Sequence, residues 1–244
     1  MESIVKTAGT QRILAIDIGG SHVKATLLDE EGQLLTDYEK VDTPSIPTPA
    51  KMIAAIEGLA RSLSGFDKIS AGFPGYVKNN VVFTAPNLGT NYWKGHPFGD
   101  ELAKALGKPA RVVNDADMQG LGIASGKGYE IVVTLGTGFG TAFLNNGRLL
   151  PHIELAHHPV SKDRDYDEYI GEKALEKEGQ VKWNKRMNKV LSILKIVFNY
   201  DHLYLGGGNA QKINFPLGEN ISLVTNKDGI KGGARLWKQD EKND

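Results

Sequence analysis

Two stretches of this chain follow one plan, and that duplication narrows what the chain can fold into. The first is Leu14-Ala15-Ile16-Asp17-Ile18-Gly19-Gly20-Ser21-His22-Val23-Lys24-Ala25-Thr26-Leu27-Leu28-Asp29. The second is Val132-Val133-Thr134-Leu135-Gly136-Thr137-Gly138-Phe139-Gly140-Thr141-Ala142-Phe143-Leu144. Each gives an apolar strand, a glycine-rich turn and a second apolar strand. Each then passes a polar turn, Asp29-Glu30-Glu31-Gly32 or Asn145-Asn146-Gly147, and re-enters a strand at Leu34-Leu35 or Leu149-Leu150. A repeated unit of this size implies two related halves. Amides in glycine-rich turns can hold phosphate oxygens, so two such hairpins on opposed halves point to phosphoryl transfer.

The rest of the pattern is α/β. In the first half, strands are expected over 12–17, 22–29 and 33–41, followed by a connection punctuated by Pro44, Pro47 and Pro49. Met52, Ile53, Ile56, Leu59, Ala60 and Leu63 recur at helical spacing and predict a helix over 50–63. A buried strand follows over 68–73, then an irregular hairpin over 76–88 turning at Asn79-Asn80. A helix over 98–106 stops at Gly107, and a strand over 110–113 leads into a helix from Asn114 to Ala124. The second half holds its own hairpin, a polar loop over 151–164, and helices over 167–178 and 182–198. A strand over 202–205 delivers Gly206-Gly207-Gly208. A short strand over 221–224 and a last helix from about Gly229 complete the pattern, with 238–244 as a frayed tail. The boundary is expected near Val112–Asn114, giving an N-terminal α/β domain over 1–112 and a C-terminal one over 113–244 around a shared cleft.

Composition excludes several function classes. Formal net charge is zero, with 29 Lys and Arg against 29 Asp and Glu, which argues against nucleic-acid or membrane-surface affinity. There are no cysteines, so disulfides and thiolate metal sites are ruled out. No apolar run is long enough for a signal peptide core or a membrane span. The expectation is a cytoplasmic protein.

Asp17-Ile18-Gly19-Gly20-Ser21 stands where a strand ends in a turn. Its glycines let amides approach phosphate, Ser21 adds a hydroxyl, and Asp17 can hold Mg²⁺ directly or through water. A plain tight hairpin uses the same residues. It is no Walker loop: the nearest match, Gly122…Gly126-Lys127-Gly128, fails in spacing and in its last residue. Gly136-Thr137-Gly138-Phe139-Gly140 has dinucleotide-like glycine spacing but leads into a strand rather than a helix. Asn114-Asp115-Ala116-Asp117 lies at a strand-to-helix junction, where one residue caps the helix and a carboxylate can accept a substrate proton. Glu154-Leu155-Ala156-His157-His158 offers acceptor and imidazole three residues apart, suited to sugar hydroxyls or simply to a solvated loop. Gly206-Gly207-Gly208 is either a close-packed corner or a place where the backbone passes a phosphate chain.

Taken together, these segments resemble the sugar kinases of the ROK family (repressors, open reading frames, kinases), and within it the polyphosphate glucokinase branch. The resemblance runs from Ile13 to about Ala234. Its markers are Ala15 to Ser21, Gly72-Phe73-Pro74-Gly75, Thr84-Ala85-Pro86-Asn87-Leu88, Asn114 to Asp117, Thr134 to Gly138, Glu154-Leu155-Ala156-His157 and the triple glycine. It implies an actin-like, hexokinase-type (ribonuclease H-like) two-domain fold with a central cleft. It implies Asp115 as base towards the sugar 6-hydroxyl with Asn114 beside it, and Glu154, His157, Asn87, Pro74 and Gly75 around the sugar. Asp17, Gly19, Gly20, Ser21 and Lys24 would face the donor phosphates and Mg²⁺. Gly136, Thr137 and Gly138 would form the second phosphate loop, and Gly206, Gly207 and Gly208 the nucleotide side. The implied reaction is transfer from polyphosphate or ATP to glucose, in a homodimer.

Three departures from the family pattern stand out. A cysteine-free chain cannot carry the zinc motif of many ROK proteins, which matches the polyphosphate branch. Ala156 replaces the usual glycine and is expected to crowd the backbone. Segment 209–218 is short where relatives carry a longer helix beside the adenine, which favours polyphosphate; Lys127, Lys182, Lys185, Arg186 and Lys189, besides Lys24, are groove cations or solvated surface. Alternatives to a glucokinase are a kinase for mannose or an N-acetylated hexosamine, and a non-catalytic ROK-type sugar regulator. The short run before the first strand leaves no room for the regulators' DNA-binding helix-turn-helix.

Overall fold

The computed structural model describes residues 11–225 and 229–239. In the first half, β1 (Ile13–Ile18), β2 (His22–Leu28) and β3 (Glu39–Asp42) are followed by α1 (Pro49–Ser62) and β4 (Lys68–Phe73). A small ribbon of β5 (Val77–Lys78) and β6 (Val81–Val82) precedes α2 (Thr90–Trp93), α3 (Phe98–Leu106), β7 (Ala110–Asn114) and α4 (Asp115–Ile123). The second half contains β8 (Tyr129–Leu135), β9 (Phe139–Asn145), β10 (Arg148–Leu149), α5 (Tyr166–Ile170) and α6 (Glu172–Phe198). It closes with β11 (His202–Gly206), β12 (Ile221–Leu223) and α7 (Gly232–Arg235).

The duplication seen in sequence is a duplication of sheets. One sheet has the order β3-β2-β1-β4-β7 and the other β10-β9-β8-β11-β12. In both, the hairpin strands pair antiparallel and the later strands add in parallel. Parallel central strands are buried on both faces and read as continuous apolar runs, as β1 and β8 do. Leu14, Ile16 and Ile18 face the core that α1 and α3 cover, while Ile13 and Ala15 face Met118 and Ala234. Likewise Ile131, Val133 and Leu135 face the core under α5 and α6, and Val132 faces Leu121 of α4. Thus α4 and α7 lie between the sheets, and α4 starts at the C-terminal end of a parallel strand. This is the α/β, actin-like arrangement that the resemblance implies.

Several expected elements differ. The third strand is confined to β3; Leu34 makes only a single bridge to Leu28. Leu35 N still donates to Leu27 O at 2.8 Å, but at Thr36 the Leu27 amide donates to Oγ1 at 3.0 Å and Thr26 Oγ1 to Thr36 O at 2.9 Å, so side-chain bonding replaces the ladder from Thr36. The short α2 was not expected. The expected break between the two helices of the second half, at 178–182, is present at Gly179 (φ +75°, ψ 158°), and a further break precedes it. An Asp165–Glu168 capping box starts α5, and it ends at Gly171, where Glu172 N donates to Gly136 O at 3.1 Å. Beyond that break, α6 consists of two helical stretches separated by the non-helical Gly179. The expected last helix is a 3₁₀ turn (Gly229–Lys231) running into α7. Of the expected tail, Lys238 ends a 3₁₀ turn, and Gln239 accepts from Leu149 N at 2.9 Å and donates to Gly147 O at 3.1 Å. Residues 240–244 lie outside the described residues, as do 1–10 at the other end.

Candidate active site

The site is built around the first turn of α4. Asn114 caps it: Oδ1 accepts the amides of Ala116 at 2.8 Å and Asp117 at 3.4 Å, and Nδ2 donates to Gly75 O at 3.1 Å. One side chain therefore terminates β7, starts the helix and ties it to the Pro74-Gly75 turn. With the cap supplied by Asn114, Asp115 and Asp117 are left over for other work. Asp115 Oδ1 accepts only its neighbour's amide, Ala116 N, at 2.8 Å among the hydrogen bonds of the described residues.

Asp115 opens on a cavity of about 410 Å³ between the two sheets. Of the residues proposed from sequence, Gly19, Gly20, Pro74, Gly75, Asn87, Asn114, Asp115, Gly136, Thr137, Gly138, Glu154, His157, Gly207 and Gly208 line it. Both glycine turns therefore meet the acid-bearing helix at one space. Gly207, at φ +87°, brings the chain so close that a Cβ would stand 2.2 Å from Leu135 O. This explains Gly207 on packing grounds, whereas a Cβ on Gly208 would meet nothing within 4 Å. Gly206 is buried opposite Thr134 in the strand register, behind the cavity wall. Ser21 is exposed and does not line the cavity. Asp17 and Lys24 are cross-strand partners and face an adjoining space of about 370 Å³ with Lys40; Gln119 borders both spaces. Ala156 sits buried in the 3₁₀ turn Leu155–His157, without the positive φ that would require glycine.

The electrostatics single out Asp115. Burial, the charge of Asp17, and smaller effects of Asp117 and Glu154 push its pKa up to about 7, against the Ala116 amide, which lowers it. Burial also raises Asp17, with Lys24 opposing. Glu154 moves the other way, lowered by contact with His152 against its own burial. The cluster thus holds one carboxyl group poised near neutrality beside another kept as an anion. Two carboxyl groups with separated proton affinities are suited to different tasks. His157 is half exposed, 3.7 Å from Asp165 Oδ2.

Sequence reasoning missed His152. Its ring is buried, with Nδ1 2.9 Å from Asp117 Oδ2 and Nε2 3.5 Å from Glu154 Oε1. It also missed Asp167, whose Oδ1 accepts the Phe139 amide at 2.6 Å behind the second glycine turn. Both line the cavity, as do Thr134 and Thr141. His152 stands two positions before Glu154, but its other partner lies 35 positions back on α4. The rejected Gly126-Lys127 segment is turned away from any ligand: the amides of both residues donate to Glu130 Oε2, at 2.8 and 3.1 Å.

Known proteins are similar to this chain in sequence and in fold. The chain is 33% identical to the polyphosphate glucokinase of Mycobacterium tuberculosis (strain CDC 1551 / Oshkosh) over 93% of its own length and 92% of the relative's. Against that of Mycobacterium leprae it is 32% identical, over 93% and 76%. Among solved structures, the inorganic polyphosphate/ATP-glucomannokinase from Arthrobacter sp. strain KM superposes with a TM-score of 0.83 at 29% identity, covering 93% of this chain and 99% of that one. A ROK family glucokinase from Streptomyces griseus in complex with glucose and AMPPNP shares the fold, with a TM-score of 0.72 at 21% identity over 92% and 98%. The ROK family model matches residues 13–154, a span that carries the first glycine turn, the Asn114 cap, Asp115, the second glycine turn and Glu154. The chain belongs to the ROK family.

Proposed function

We propose that this protein is a sugar kinase that transfers a phosphoryl group from polyphosphate or ATP to the 6-hydroxyl of glucose, with Asp115 as general base. The observation that carries the reading is the position of Asp115: a carboxyl group with pKa about 7, at a helix start, on the cavity shared by both glycine turns and Glu154. A base of that strength is about half ionised at neutral pH and takes up a proton readily.

In this reading, Glu154, His157, Asn87 and the Pro74-Gly75 turn hold the sugar, with Asn114 bracing that turn. The 6-hydroxyl loses its proton to Asp115 while its oxygen attacks the terminal phosphorus, and the donor leaves one phosphate shorter. The residues around Gly19-Gly20-Ser21 and Gly136-Thr137-Gly138 orient the phosphate chain, so catalysis is mainly positioning and charge stabilisation. Asp17 suits a hydrated Mg²⁺, which needs one or two carboxylates together with donor phosphates and water. When bound, that ion would neutralise phosphate charge. The two halves, taken as 1–112 and 113–244, would close on the substrates, with α7 reaching back to the first sheet.

Polyphosphate is favoured over ATP by the segment after Gly208. It makes one 3₁₀ turn (Ala210–Lys212), and Lys212 O is taken by the Gln180 and Asn184 side chains at 2.8 and 3.0 Å. That leaves little helix to enclose an adenine. Mannose is the second acceptor to test, because the Arthrobacter relative is named a glucomannokinase.

The test is sugar 6-phosphate formation with Mg²⁺, glucose or mannose, and polyphosphate or ATP in separate reactions. Turnover that Asp115→Asn abolishes, while glucose binding persists, is expected. Near-normal turnover in that variant would overturn the mechanism. Hexose binding without turnover from any donor would favour the regulator reading.

A further inference from the structure

His152 has no part in the mechanism above, yet its ring lies between the carboxylates of Asp117 and Glu154, the second of which lines the cavity. Its side chain is 6% exposed and that of Asp117 8%. Asp117 belongs to α4, whereas His152 and Glu154 belong to the loop after β10, so the contact spans separate segments. On a further side, the ring stacks near Tyr76 of the first half, with centroids 6.1 Å apart and planes 22° apart. The ring nitrogens lie off the ideal line for directed hydrogen bonds to either carboxylate, so the contact is chiefly one of opposite charges.

We infer that His152 is a sugar-positioning residue: as a buried imidazolium it clamps the Glu154 loop to α4 and holds the Glu154 carboxylate at the cavity for the sugar hydroxyls. This rests on the sugar-kinase reading. Glu154 Oε1 is buried against the ring while the side chain keeps a third of its exposure, so the carboxylate is anchored by one oxygen and offers the other. A buried carboxylate pair without a cation would repel or take up protons. The groups that face the ring are Asp117 from α4, Glu154 from its own loop and Tyr76 from the hairpin. Asp115 and His157 act on Glu154 from farther away. Burial alone would keep the ring neutral, but the two carboxylates overcome it and push it up to about 9. A neutral ring carries no charge to set against the two carboxylates; holding both by charge needs the imidazolium.

The native protein gives the first test. Nitrogen-15 and carbon-13 NMR of the histidine rings, with the His152 signal assigned by its loss in His152→Asn, should show a doubly protonated ring at pH 8. A ring that titrates near pH 6 would overturn the inference. In His152→Asn, the glucose dissociation constant measured by calorimetry and the glucose KM should rise ten- to a hundredfold. The donor KM should stay within twofold and kcat should fall less than tenfold. The charge-balanced double variant His152→Asn/Asp117→Asn should recover at least threefold in glucose affinity, which simple loss of packing would not give. Unchanged glucose affinity in His152→Asn, or no recovery in the double variant, would overturn it. If His152→Asn does not fold, selective ring labelling of the native protein with the other histidines replaced in turn still decides the charge state. Hexose binding by the native protein that His152→Asn leaves intact sinks this inference alone. Failure of the native protein to bind any hexose sinks the kinase reading with it.

Discussion

Asp167 Oδ1 accepts the Phe139 amide at 2.6 Å, so α5 holds the point where the second glycine turn enters β9. The same carboxylate fills the space beside Gly138, where a Cβ would stand 2.7 Å from Oδ1. A carboxylate accepting a backbone amide is among the stronger hydrogen bonds, worth roughly 1.5–3 kcal/mol. Asp167→Ala should therefore loosen the donor-side turn and leave the sugar side intact. The expected outcome is a donor KM raised about tenfold by that loss, with the glucose dissociation constant unchanged. Steady-state kinetics at saturating glucose check it, and an unaltered donor KM would remove this turn from the donor site.

Under the proposed mechanism, the pH profile is set by two groups with opposite requirements. Asp115 must be ionised to take a proton, so kcat/KM for glucose should climb with unit slope below its pKa of about 7 and level off above it. His152 must stay protonated, so glucose affinity should decline above its value of about 9. The window of full activity lies between the two. A profile flat from pH 5 to 8 would show that no group with the affinity of Asp115 governs proton removal.

Asp115 also costs stability. Its pKa is raised from 3.8 to about 7 on folding, so between those values the native state binds the proton that the unfolded chain has released. Stability is lost as pH rises through that interval, and the penalty is complete above it. A tenfold change in proton affinity corresponds to about 1.4 kcal/mol, so Asp115→Asn should gain up to about 4 kcal/mol at pH 8 and much less at pH 4. Urea unfolding at the two pH values measures this. Equal effects at both would mean that the gain has another source.

The repeat was legible because its signals are local: apolar alternation, a glycine turn and a polar turn within about thirty residues. Asp115 was legible because a junction with more polar residues than a cap needs is visible in the chain itself, whereas Glu154, which alone reads equally as a solvated loop residue, was singled out through the family resemblance. His152 was not, because its role comes from a charge on another element. Asp167 was hidden for the same reason, being joined to Phe139 only through tertiary contact. The third strand was overextended because Leu34 and Leu35 look like strand residues, whereas the Thr36 hydroxyl takes the Leu27 amide. The break at Gly179 was legible, but the earlier one at Gly171 was not, because Gly171 interrupts the helix through its contact with the Gly136 turn, and sequence spacing does not show that contact.

Glu130 explains why a glycine-lysine segment is not a phosphate loop. Its buried carboxylate accepts from Ser125 N and Oγ at 2.8 Å each, Gly126 N at 2.8 Å, Lys127 N at 3.1 Å and Tyr204 Oη at 3.0 Å. Glu130→Gln would set an amide NH₂ against donors. With buried unpaired donors costing roughly 1–3 kcal/mol each, a loss of about 3 kcal/mol or more is expected. Chemical denaturation checks it, and a loss under 1 kcal/mol would mean that water replaces the carboxylate there.

Two glycine-to-alanine changes should move stability in opposite directions. Gly232 begins α7 where it crosses α4; a Cβ there would stand 1.7 Å from Met118 O and 2.8 Å from Gly122 N. Around it, Ser70 Oγ donates to Gly233 O at 2.6 Å, and Arg235 Nη1 donates to Leu121 O and Ala124 O at 2.8 and 2.7 Å. The added methyl must therefore push apart the two helices that join the sheets, and one of them carries Asp115. Gly232→Ala should cost on the order of 3 kcal/mol, at the upper end for overpacking, and lower kcat by displacing the base. Gly58 lies within α1, and a Cβ there meets nothing within 4 Å. Gly58→Ala should add about 0.5–1 kcal/mol through helix propensity alone and leave kcat unchanged. Thermal unfolding with parallel kinetics separates the two: comparable stability in both variants would mean that the α4–α7 crossing yields to a methyl group and is not what fixes Asp115.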